Sequence, residues 1–159
     1  MKTNLNNKGF TLLELIIVFT VISILSSIGI ASFVSYSKAQ SLQSAASDLA
    51  LTLNSAKSRA NSQVKPNDCS GALIGYKVVI GYPSTTPITK YSLYAVCGEP
   101  LLIKTTTLPD NGKIIFDSDK SIFFPILTGA VGGSGAIVLT GYNLTKTVTI
   151  DNVGNISIK

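Results

Sequence analysis

The chain has 159 residues, 13 Lys and Arg against 8 Asp and Glu, and a formal net charge of +5. That length leaves room for one compact domain, and a 45 % hydrophobic content excludes a disordered body. There is no histidine, which excludes an imidazole base, a Ser-His-Asp triad and a histidine-based metal site.

Lys2 and Lys8 precede the segment Gly9-Phe10-Thr11-Leu12-Leu13-Glu14, and no charge follows from residue 15 to residue 34. About 20 residues at 1.5 Å rise span roughly 30 Å, the thickness of a bilayer's hydrocarbon core. The run is too long for the apolar region of a secretory signal peptide, and no small-residue cleavage site follows it. A single-pass segment with Lys2 and Lys8 on its N-terminal side keeps those lysines in the cytoplasm and sends the body across. Glu14 stands at the mouth of the run, where a carboxylate is costly in lipid unless an amino group pairs with it.

The pattern predicts one long helix from Phe10 to about Ser62, apolar first and amphipathic later. In the later part Leu42, Ala45, Ala46, Leu49, Leu53, Ala56 and Ala60 recur at helical spacing and form one stripe for the rest of the body to cover. Lys57 and Arg59 suit a helix C-terminus, and Pro66-Asn67 is the expected stop.

Beyond Cys69 the period changes to two. Strand-like runs rich in Val, Ile, Thr, Tyr and Phe cover residues 72–82, 90–97, 101–108, 113–116, 121–124, 135–139 and 146–159. Turn signals at Pro83-Ser84, Gly98-Glu99-Pro100, Pro109-Asp110-Asn111-Gly112, Gly132-Gly133 and 152–155 separate them. The body reads as an antiparallel sheet, or two, wrapped on the helix stripe. An exported body carries Cys69 and Cys97 into an oxidising compartment, where the pair is expected to bridge. Closing a loop of about 29 residues restricts the unfolded chain by roughly 3.5 kcal/mol in the entropic model.

The segment from Gly9 to Glu14 resembles the prepilin cleavage site of type IV pilins and type II secretion pseudopilins. The resemblance implies that a membrane prepilin peptidase cuts between Gly9 and Phe10 and methylates the new N-terminal Phe10. Glu14 would then be the fifth mature residue, paired with a terminal amine during assembly. Many pilins carry a proline in the middle of the anchor helix; this chain departs from them with Ala31 there and Gly29 two residues before. The body resembles the H-type minor pseudopilins and FimT-type minor pilins. The matching pieces are the helix 49–62 with a cysteine after it, Leu108-Pro109-Asp110-Asn111-Gly112, Ile122-Phe123-Phe124-Pro125 and residues 148–156.

The division implied is a leader at 1–9, a transmembrane and filament-core helix at 10–36, an amphipathic helix at 37–65 and an antiparallel β body at 66–159. The expected fold is α+β and pilin-like. The expected function is a minor structural subunit of a type IV pilus or type II secretion pseudopilus, with no enzymatic activity, cofactor or metal. Asp117-Ser118-Asp119 has too few oxygen ligands for a calcium loop, and the glycine-rich stretch 129–135 lacks the Gly-Lys-Ser/Thr ending of a phosphate loop. The partners implied are the prepilin peptidase, other pilin or pseudopilin subunits through the N-terminal helix, and an inner-membrane assembly platform. The location implied is the bacterial inner membrane, then the filament. Two alternatives stand beside this reading: a DNA-capturing minor pilin at a competence pilus tip, with Lys146 and Lys159 as phosphate contacts, and a membrane-anchored extracytoplasmic binding domain.

Overall fold

The structure is a computed structural model that describes residues 9–81, 86–128 and 130–159, without the side chains of residues 27–29 and 31. The leader lysines Lys2 and Lys8, the predicted turn at Pro83-Ser84 and the first glycine of 129–135 lie outside the described residues, as do the surroundings of Gly29 and Ala31.

Helix α1 runs Leu12–Asn61. Its start is fixed by Thr11, whose Oγ1 accepts the Glu14 backbone N–H at 3.2 Å. That is the N-cap of a Thr-x-x-Glu box, and it satisfies one of the donors a helix start leaves orphaned. The chain divides into two units, the first ending at Ser37 and the second running Lys38–Lys159. In the first unit the apolar side chains of Leu12, Leu13, Ile16, Phe19 and Leu25 are all exposed. Among the described residues no helix is long and apolar enough to cross a membrane. The predicted span at 10–36 therefore remains an expectation drawn from the sequence.

In the second unit α1 buries the stripe read from its spacing: Leu42, Ala45, Ala46, Leu49, Leu53, Ala56 and Ala60 are all in the core. Four of the seven are alanines, which let strands approach the helix axis closely. The helix ends before the expected proline. Gln63 takes a left-handed φ of 51°, and the N–H groups of Gln63 and Val64 donate back to Ala60 and Arg59. This is a Schellman closure, so the orphan carbonyls are satisfied before Pro66 is reached.

Among the described residues eight strands follow: β1 (Gly75–Ile80), β2 (Lys90–Cys97), β3 (Glu99–Thr107), β4 (Ile114–Phe116), β5 (Lys120–Pro125), β6 (Gly135–Gly141), β7 (Leu144–Ile150) and β8 (Ile156–Ile158). They form two four-stranded sheets, ordered β3-β2-β1-β5 and β4-β6-β7-β8, with antiparallel pairing throughout. The Phe116 N–H of β4 donates at 2.9 Å to the carbonyl of Ile88, in the segment that leads into β2. Tyr76, Val78, Ile80, Ile122 and Phe124 from one sheet join Ile114, Leu139, Val148 and Ile150 from the other in one buried cluster with the helix stripe. The α+β expectation holds.

One local reading changes, and one turn carries no signal that the sequence reading used. Gly98-Glu99-Pro100 is not all turn: the chain reverses at Gly98, φ 95°, and β3 already begins at Glu99. Proline is tolerated there because β3 is an edge strand and its missing N–H breaks no second ladder. The β6–β7 hairpin turns at Tyr142 and Asn143, with φ of 57° and 62°, a two-residue connection of the primed type. No glycine occupies either position, so the usual signal for that turn was missing.

Candidate functional site

The N-terminal segment is simple in construction. Gly9 and Phe10 are exposed and precede the helix, so the peptide bond between them lies in irregular backbone open to solvent. Among the described residues a Cβ added at Gly9 would meet nothing within 4 Å, and its φ is not left-handed. The fold itself therefore gives no reason for glycine at this position. Gly71 and Gly133 are the opposite case: a Cβ would collide with the Cys97 carbonyl oxygen at one and the Ser121 carbonyl oxygen at the other. Glu14 lies in the first turn of α1, where the helix dipole favours negative charge. Thr11 is the functional neighbour that the sequence reading did not single out, although Thr-x-x-Glu is itself a start signal.

Cys69 and Cys97 form a disulfide with their Cα atoms 5.7 Å apart. The bridge ties the loop after α1 to the end of β2. Lys146 and Lys159 are not brought together. Lys146 pairs with core-facing Leu139, whereas Lys159 exchanges backbone hydrogen bonds with Thr147, the next residue along β7. Side chains alternate along a strand, so the two lysines occupy opposite faces of their sheet.

Two polar anchors tie loops to the second half of α1. Asp151 Oδ1 accepts the N–H groups of Val153 and Asn155 at 3.0 and 2.7 Å, and Oδ2 accepts Asn155 Nδ2 at 2.8 Å. These bonds, the Asn155 backbone N–H first, hold the Asp151 carboxyl below the usual range. Lys57 donates to the carbonyls of Val153 and Gly154 at 3.3 and 2.8 Å, clamping that turn to the helix. At the other anchor, Ser41 Oγ donates to Asp110 Oδ2 at 2.6 Å, and with Tyr142 this lowers the Asp110 pKa.

An open cleft of about 460 Å³ lies between α1 and β3. Its floor includes Tyr91 and Leu93, and its rims carry Asp48, Arg59 and Lys104. Burial pushes the Tyr91 hydroxyl pKa up, while side-chain hydrogen bonds with Thr52 and Thr106 act against that. Among the described residues no group of His, Cys, Asp or Glu is placed to hold a metal ion.

The family model of the prokaryotic N-terminal methylation motif matches residues 4–30, the segment that holds Gly9, Phe10 and Glu14. This match supports a type IV pilin-like protein of the kind processed by prepilin peptidase. No curated protein and no solved structure matches the chain.

Proposed function

We propose that the chain is a minor subunit of a type IV pilus or type II secretion pseudopilus, cut after Gly9 and methylated on Phe10. It acts by being built into a filament and not by catalysis. The observation that carries the reading is the methylation motif at 4–30 together with a glycine that the fold does not need. A residue with no role in its own fold is free to serve another protein's site. Glycine before a scissile bond lets a peptidase approach the backbone without a Cβ in the way.

Cleavage leaves Thr11 as the second residue, so the N-cap of α1 survives processing and only Phe10 precedes it. The new amine then stands four residues before a carboxylate, Glu14. In a bundle of subunits, Glu14 pairs with such an amine in surroundings of low dielectric constant, which makes burial of both charges tolerable. The apolar side chains exposed along the first unit find their cover in lipid before assembly and in neighbouring helices after it.

Mass spectrometry of the membrane fraction tests the cut. In cells that make the peptidase, the mature chain should start at methylated Phe10, and Gly9→Val should retain Lys2 and Lys8. A wild-type chain that keeps its leader there overturns the proposal.

A further inference from the structure

Strand β3 lies at one end of its sheet, so among the described residues its outer edge has no strand partner. The edge is nine residues long and borders the cleft against α1. The opposite wall is one helical face, from Asp48 through Leu51 and Ser55 to Arg59. A groove between an edge strand and a helix suits an extended peptide: the edge supplies main-chain hydrogen bonds, and apolar side chains take alternate residues. Here those side chains are Leu51, exposed on the helix, and Ile103 on the strand.

Charge narrows the choice of occupant. Arg59 and Lys104 face a single carboxylate, Asp48, so the rim attracts an anion. The chain's own strands are a poor source. They hold five lysines, Lys77, Lys90, Lys104, Lys120 and Lys146, and one acid, Glu99. A second copy paired antiparallel through its own β3 about Lys104 would set Lys104 against Lys104, the device by which edge strands resist self-pairing. We propose that the β3 edge and its cleft capture an extended acidic segment of a different protein by strand addition, with Arg59 and Lys104 reading its carboxylate. Pro100 offers no N–H, so pairing runs along residues 101–107.

This inference rests on the body alone, and its failure would leave cleavage at Gly9 untouched. The test uses the full chain in detergent micelles with two capped hexapeptides of alternating threonine and valine, one with a central glutamate and one with lysine there. Hydrogen exchange should slow at residues 101–107 with the glutamate peptide and not with the lysine peptide. The double variant R59E/K104E should weaken the glutamate peptide about tenfold or more, while K77E, on the other face of the sheet, should leave it unchanged. Equal protection by both peptides, protection by neither, or protection that grows with protein concentration in the absence of peptide would each overturn the proposal, the last by showing a second copy in the groove.

Discussion

The two stretches of α1 are built from similar apolar residues arranged in different ways. In the first unit Ile16, Ile17, Val18 and Phe19 are successive in sequence, so they point in every direction around the axis, and all four are exposed. In the second unit the apolar residues of the stripe, leucines and alanines together, return at helical spacings of three, four and seven. Leu42, Leu49 and Leu53 are buried to 1 % or less, while Ser44, Asp48, Asn54 and Ser58 face solvent. A striped helix has its partner within its own chain. An apolar helix without a stripe has no face to offer a single partner and is covered on all sides by something else, lipid or other helices.

The largest effect should separate the two stretches directly. Leu49→Ala removes a fully buried side chain beneath two sheets and should cost about 2–5 kcal/mol of body stability. Ile17→Ala, equally conservative in volume, should leave the urea midpoint of the body unchanged, because its side chain is exposed in the folded chain. If both variants lose the same stability, the first stretch packs on the body and the comparison fails.

Glu14 sharpens the same contrast from the other side. Glu14→Ala should leave membrane abundance and cleavage nearly unchanged while cutting incorporation into sheared filaments, since an unpaired buried amine costs on the order of 3 kcal/mol or more. Glu14→Gln keeps the shape and removes the charge. It should fail as badly as alanine; a glutamine variant that assembles like wild type would reduce Glu14 to a partner of Thr11 in capping the helix.

Much of this architecture was legible because periodicity reports burial. All seven residues of the predicted stripe are in the core, and most strand-like runs became strands. Misreadings occurred where local signals were overridden or absent. Pro66 marked a stop that Gln63 pre-empts with a left-handed residue, which no rule ties to glutamine. Pro100 read as turn because sequence cannot show which strand lies at an edge. Lys57 read as a charge near the helix end, but its partners are turn carbonyls nearly a hundred residues away, a contact without local trace. The methylation-motif segment was legible for another reason: it is a short linear signal, and a match to it does not depend on what folds around it. Lys146 and Lys159 show the converse, since only the register of β7 reveals that they face apart.

The smallest expected effect concerns how the β7–β8 turn stays clamped to the striped half of α1. Asp151 accepts three hydrogen bonds in its charged form, so its folded pKa lies below the ordinary aspartate value of about 3.9. A carboxyl with a lowered folded pKa contributes stability that is fully present above the unfolded value and is lost as pH falls through the folded one. Asp151→Asn mimics the protonated state at every pH. The variant should melt below wild type at pH 7, and the gap should narrow as pH drops under about 4, because wild type then loses the same charge. Salt should change the gap little, since the backbone and amide N–H groups on the carboxylate outweigh the pull of the Lys57 charge. A gap that stays constant from pH 7 to pH 2 would mean that the carboxylate's charge contributes nothing, and that Lys57 alone holds the turn to the helix.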